Sequence, residues 1–152
     1  MTAVRIPFEI APEARDALRE LERYIARSGL PQGLVELVKL RVSMLNGCAF
    51  CIDMHWRRLR DAGEPEQRLY ALAAWREQVG FSPAERAALA WAESVTAVAT
   101  SGVPDAAFED VARHFSQKEV ADLTYVVAVI NAWNRLCVAF RIPPASPLPE
   151  LA

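Results

Sequence analysis

Apolar residues recur along the chain at helical spacing, and no stretch alternates apolar with polar residues in the manner of a half-buried strand. The first amphipathic pattern runs over 12–28, with Leu18, Leu21 and Ile25 on one side and Gly29 at its end. Pro31 and Gly33 open a second helix, about 34–45, that is apolar nearly all round except at Glu36, Lys39, Arg41 and Ser43. Asn46-Gly47 closes it. A third helix follows over about 48–62 and stops at Gly63, and a short fourth runs from Pro65 to about Arg76. Ser82-Pro83-Ala84-Glu85 reads as a capping box with proline at the first helical position, starting a fifth helix to about Ala99. Thr100-Ser101-Gly102 reads as a loop, and Pro104-Asp105 opens a sixth helix to His114. A second capping box, Ser116-Gln117-Lys118-Glu119, starts a seventh helix to about Phe140. From Ile142 onward, four prolines in eight residues predict an extended or disordered tail. The expectation is an all-α, single-domain bundle of six or seven helices, with a core over about 12–140 and a Pro-rich tail over 142–152.

The second and seventh helices are apolar on most sides. One 152-residue chain is expected to bury them only in part, which points to a subunit interface. Apolar residues make up 53% of the chain and charged residues 24%, an ordinary globular balance. The net charge is −2 and there is no basic tract, which argues against nucleic acid as a partner. No charged-then-apolar signal pattern occupies the start, so a cytoplasmic location is expected. The run Val126–Ile130 in the last helix is too short to span a bilayer, so no membrane association is expected.

Three cysteines are too few for a disulfide framework, and a close pair without an export signal suits redox chemistry or metal binding. Cys48-Ala49-Phe50-Cys51 is followed by His55, and offsets of 0, +3 and +7 put all three side chains on one helix face. Two arguments about the more reactive thiol pull apart. The unpaired N–H groups at a helix start favour thiolate at Cys48, whereas the imidazole at i+4 favours Cys51. Glu36 on the preceding helix is placed to orient that imidazole.

The complete pattern, Glu36-x11-Cys48-x2-Cys51-x3-His55, resembles the signature of alkylhydroperoxidase-D-like proteins of the carboxymuconolactone decarboxylase-like superfamily. Leu34-Val35-Glu36-Leu37-Val38-Lys39-Leu40-Arg41, Met44-Leu45-Asn46-Gly47, Asp53-Met54-His55 and Ile130-Asn131-Ala132-Trp133-Asn134-Arg135 carry the likeness over roughly residues 30–140. The resemblance implies an all-helical fold assembled as trimers or hexamers, and peroxide reduction through a reversible disulfide. It implies Cys51 as the peroxide-attacking thiol, Cys48 as the resolving thiol, and Glu36 with His55 as a proton relay. The implied partners are a small hydroperoxide and an external dithiol of lipoyl or thioredoxin-like type. No metal or organic cofactor is required. One departure is Phe50, where the best-known members of this type often carry a second histidine; it favours a more general disulfide oxidoreductase role.

Two other readings compete. A carboxymuconolactone decarboxylase-like enzyme on the same fold would leave the cysteine pair without a task. A zinc-stabilised assembly module would take Cys48, Cys51 and His55, with Glu36 as a fourth ligand. Elsewhere, Cys137 between Leu136 and Val138 reads as core, and His114 as a dipole contact at a helix end. Asn131, Trp133 and Asn134 read as packing and buried hydrogen bonds, and Arg57, Arg58 and Arg60 as a solvated face. The alternative for Glu36 is a structural ion pair with Lys39 or Arg41, and Phe50 would line an apolar pocket or shield the sulfurs.

Overall fold

The structure, a computed structural model, describes residues 3–145. Among these, eight α-helices and no strand are present, in agreement with the all-α expectation. They are α1 (Pro12–Ala26), α2 (Gln32–Asn46), α3 (Ala49–Asp61), α4 (Glu66–Ala71), α5 (Pro83–Thr96), α6 (Val98–Ser101), α7 (Asp105–Ala112) and α8 (Gln117–Phe140). Both capping boxes form: Ser82 and Ser116 each accept from the backbone of the third helical residue, whose glutamate reaches back to the cap. The elements differ from the expected six or seven helices in two local ways. The fourth element breaks after Ala71 into a 3-10 segment, Leu72–Glu77, with Ala74 off helical geometry. The stretch read as the end of the fifth helix and a loop winds into the separate short turn α6, stopped by Gly102 at φ 64°. Most of the Pro-rich tail, from Ser146 onward, lies outside the described residues.

Helix α2 is apolar all round because it divides two clusters. Leu34, Val35, Val38 and Val42 face a larger core built with α1, α3, α5, α7 and α8. Leu37 and Leu40 face a second core around Leu59, Leu69, Leu72, Trp75, Phe81 and Leu89. Helix α8 is wrapped by α1, α2, α3, α5 and α7, which bury Val120, Leu123, Val126, Val127, Val129 and Ile130. The single chain therefore accounts for the apolar character of α2, whereas α8 keeps Tyr125 and Val138 about half exposed and only 39% of its apolar window buried. The Val126–Ile130 run also understated α8: by length and composition the whole helix could cross a membrane. Here it is the central strut of the bundle, and it carries the buried polar residues Asp122 and Asn134.

Candidate active site

The junction between α2 and α3 sets the position of the cysteine pair. Gly47 adopts φ 65°, ψ 32°, the left-handed conformation that ends α2. The N–H of Gly47 donates to the Met44 carbonyl (3.3 Å) and that of Cys48 to the Ser43 carbonyl (3.0 Å). This is the paired closure of a Schellman motif, and it fixes Cys48 relative to α2. Cys48 is the N-cap of α3 rather than its first turn, a one-residue correction to the sequence reading. Its sulfur accepts the Cys51 backbone N–H at 3.4 Å, doing what an N-cap oxygen usually does.

Helical spacing then brings the motif together. Cys48 Sγ and Cys51 Sγ are 2.6 Å apart as free thiols, and both are buried. One turn beyond Cys51, His55 is buried, with Nδ1 2.6 Å from Glu36 Oε2. Glu36 does not pair with Lys39 or Arg41, which engage Glu22 and Glu93 instead. Its second oxygen accepts from Arg58 at 3.2 Å, so Arg58 belongs to the site rather than to a purely solvated face. Burial pushes the Glu36 carboxyl up, but the His55 hydrogen bond and the charges of His55, Arg58 and Lys39 outweigh it, leaving Glu36 below its ordinary value. An ionised Glu36 holds the proton of His55 on Nδ1, which leaves Nε2 buried and without a protein partner.

The electrostatics favour the helix-start argument, that thiolate forms more readily at Cys48. Hydrogen bonds from the thiols of Cys137 and Cys51 lower Cys48 against the cost of burial, helped by the Cys51 N–H and the Asn134 amide, to about 3. A hydrogen bond from Cys137 lowers Cys51, but its own bond to Cys48, burial and the charge on Cys48 prevail and push it to about 12. The lowering falls on Cys48 and the raising on Cys51, so of the two sulfurs Cys48 is the one favoured as thiolate. Cys51 and His55 line a cavity of about 550 Å³ together with Glu36, Arg58 and Cys137; Cys48 is not among its lining residues. Phe50, Met54, Ile130 and Trp133 form its apolar wall, so Phe50 faces the pocket as expected. Trp133 is held edge-on by Phe8 at 5.8 Å.

Sequence reasoning missed the part played by Cys137. It is core, as expected, yet its sulfur and those of Cys48 and Cys51 all lie within 4.8 Å of one another. The register of α8 brings it there: Asn134, one turn earlier, donates to Ser43 Oγ (3.0 Å) and accepts from Asn46 (2.9 Å). Asn46 also donates to Asn131 (3.0 Å), so these asparagines form buried hydrogen bonds as read from sequence. Any soft metal ion held at this point would meet three sulfurs, not the Cys48, Cys51, His55 and Glu36 set considered for zinc. His114 is exposed just beyond α7.

The sequence model of the family described as "Carboxymuconolactone decarboxylase family" matches residues 11–94. The uncharacterized protein YdfG of Bacillus subtilis is 42% identical over 139 residues, covering 91% of this chain and 95% of that protein. A protein of unknown function from Agrobacterium tumefaciens, described as an AhpD candidate in antioxidant defence, superposes with a TM-score of 0.92 at 41% identity. That match covers 95% of this chain and all of the other. The debrominase Bmp8 shares the fold alone, with a TM-score of 0.81 at 19% identity over 91% of this chain and 75% of that one. Motif, helix order and relatives agree, and the chain belongs to the carboxymuconolactone decarboxylase family as an alkylhydroperoxidase-D-like protein.

Proposed function

We propose that this protein is a thiol oxidoreductase that reduces small hydroperoxides through a Cys48–Cys51 disulfide. One observation carries the reading: two free sulfurs 2.6 Å apart, with Cys51 lining a cavity beside a histidine whose outer nitrogen is unengaged. His55 Nε2 takes the proton of the Cys51 thiol, and ionised Glu36 stabilises the resulting imidazolium. The Cys51 thiolate attacks the terminal peroxide oxygen, the O–O bond breaks, and the imidazolium protonates the departing alkoxide. Cys51 is left as a sulfenic acid. Cys48, already a thiolate, attacks that sulfur; the S–O bond breaks and hydroxide leaves as the disulfide forms. The peroxide has gained two electrons and the thiol pair has lost two. An external dithiol, of lipoyl or thioredoxin-like type, then returns them by exchange.

A second assignment draws on the charge resting on Cys48: that thiolate attacks the peroxide and Cys51 resolves. The cavity argues for Cys51, because Cys48 does not line it. The test is peroxide consumption with sulfenic-acid trapping by dimedone. One equivalent of cumene hydroperoxide should remove two thiols per chain. In the Cys48→Ser/Cys137→Ser variant the dimedone adduct should form on Cys51. Retained peroxide reduction in Cys51→Ser overturns the assignment, and turnover of a muconolactone by the Cys48→Ser/Cys51→Ser variant would establish the decarboxylase reading instead. Assembly as a trimer or hexamer is part of the proposal and is checked by light scattering.

A further inference from the structure

We propose that Cys137 is a third redox-active thiol, an alternative disulfide partner for Cys51 that carries the oxidised bond to the cavity. The inference rests on the thiol-oxidoreductase reading above and extends it to a residue outside the motif. The geometry is specific. Cys137 Sγ lies within 4.8 Å of both motif sulfurs, and it shares the cavity wall with Cys51, whereas Cys48 does not reach that wall. The bond requires the sulfurs to close to roughly 2.05 Å, a movement that cysteine rotamer changes would supply. The backbone there is fixed: Asn134 ties α8 to Ser43 and Asn46, and the Ile142 N–H holds the Cys137 carbonyl at 2.9 Å.

The exchange balances without an added oxidant. The Cys137 sulfur attacks Cys51 in the Cys48–Cys51 disulfide, the S–S bond breaks, and Cys48 leaves as a thiolate. Cys137 is oxidised, Cys48 is reduced, and the Cys137 proton passes to His55 Nε2 or solvent. Cys48 is a good leaving group because its N-cap position and the neighbouring N–H donors stabilise its charge. In the reduced protein, hydrogen bonds to Cys48 and Cys51, burial and the negative charge of the pair hold the Cys137 thiol well above its ordinary value. Oxidation of the pair removes the Cys48 charge, so Cys137 becomes more reactive only once there is a disulfide to attack. The product bond, Cys51–Cys137, faces the cavity by which an external dithiol would enter.

The test uses diamide, which oxidises neighbouring thiols whether or not the protein reduces peroxides. Trypsin separates the residue 42–57 segment, with Cys48 and Cys51, from the residue 136–141 segment, with Cys137. In Cys48→Ser, diamide should remove two thiols per chain and yield a crosslink between the two segments under non-reducing conditions. In the wild-type protein, a fraction of molecules should carry the same crosslink with Cys48 alkylated. The proposal is overturned if wild-type protein gives only the Cys48–Cys51 loop with Cys137 alkylated throughout, a readout that needs no variant. It is equally overturned if folded Cys48→Ser or Cys48→Ala keeps both thiols free. A crosslink with diamide in a protein inert toward hydroperoxide would uphold the role of Cys137 while refuting the peroxidase reading.

Discussion

His55 Nδ1 and Glu36 Oε2 meet at 2.6 Å across the α2–α3 packing, joining a carboxylate on one helix to the imidazole one turn past Cys51 on the next. This contact fixes the tautomer and leaves Nε2 as the only imidazole nitrogen free to take a proton. Replacing Glu36 by Gln keeps the shape and a hydrogen-bonding group but removes the charge that stabilises the imidazolium. The expected result is a loss of about 10²-fold in peroxide reduction, the lower range for a general acid–base group. The helical circular dichroism should stay unchanged. Unaltered rates in Glu36→Gln would remove the relay from the mechanism.

With Cys48 lowered to about 3 and Cys51 raised to about 12, the reduced site is expected to carry one thiolate through the neutral range. Thiolate absorbance at 240 nm should therefore correspond to about one thiolate per chain from pH 5 to 8, where ordinary thiols near 8.5 contribute little. The signal should vanish as pH falls through about 3 and be absent in Cys48→Ser. An absorbance that rises only above pH 8 would contradict the arrangement of donors around Cys48.

Much of this site could be read before any fold was known, because it is local. Cys48, Cys51 and His55 share one helix face by spacing alone, and Glu36 sits on the helix that a glycine turn folds back against them. Cys137 was not legible, since its approach depends on the register of α8 against α2, which three asparagines and Ser43 set through side-chain contacts. Arg58 looked like one of several surface arginines; only the rotation of α3 shows that it reaches Glu36. The apolar excess of α2 was ambiguous in the sequence for the same reason. Periodicity reports how much of a helix is buried, not whether the cover comes from the same chain.

Asn134 is nearly inaccessible, and both ends of its amide are engaged, by Ser43 and by Asn46. Asn134→Leu would remove the donor to the buried Ser43 hydroxyl and one of the two acceptors of the half-buried Asn46 amide, at a cost of about 1–3 kcal/mol for the buried group left short. A fall of this order in unfolding free energy by urea titration is expected. The same substitution removes an amide donor beside Cys48, so the 240 nm titration should move to higher pH. Stability and titration both unchanged would show that the asparagine network does not hold the site.

Glu93 accepts from Arg41 at 2.7 Å and from Trp75 Nε1 at 2.8 Å, and also pairs with Arg76, beside the second core. Burial raises its carboxyl, but the hydrogen bonds from Trp75, Arg76 and Arg41 overcome that and leave it below its ordinary value. A carboxyl depressed in the folded state stabilises the fold above its unfolded value of about 4.3, and the contribution is lost as pH falls through the folded value. The melting temperature should therefore hold level from neutrality to about pH 5 and drop below about pH 4. Glu93→Gln should lower the neutral plateau by the equivalent of about 2–3 kcal/mol, the scale of hydrogen bonds to a charged group, and flatten the acid limb. A variant with the wild-type acid profile would show that other carboxylates dominate it.

Phe50 lines the cavity two residues after Cys48 and one before Cys51, where a second imidazole would face the same space. If proton delivery to the departing alkoxide limits the reaction, Phe50→His should raise kcat/KM for hydroperoxide by about tenfold, a modest share of what a placed acid–base group supplies. Phe50→Leu separates this from a change of pocket shape, because it keeps an apolar wall and adds no proton carrier; its rate should stay near wild type. Exchange of the disulfide with an external dithiol passes no proton to an alkoxide, so it should be indifferent to Phe50→His. A rise in both half-reactions would trace the effect to access rather than to acid catalysis. No rise in either would mean that His55 alone already delivers the proton faster than the sulfur attacks.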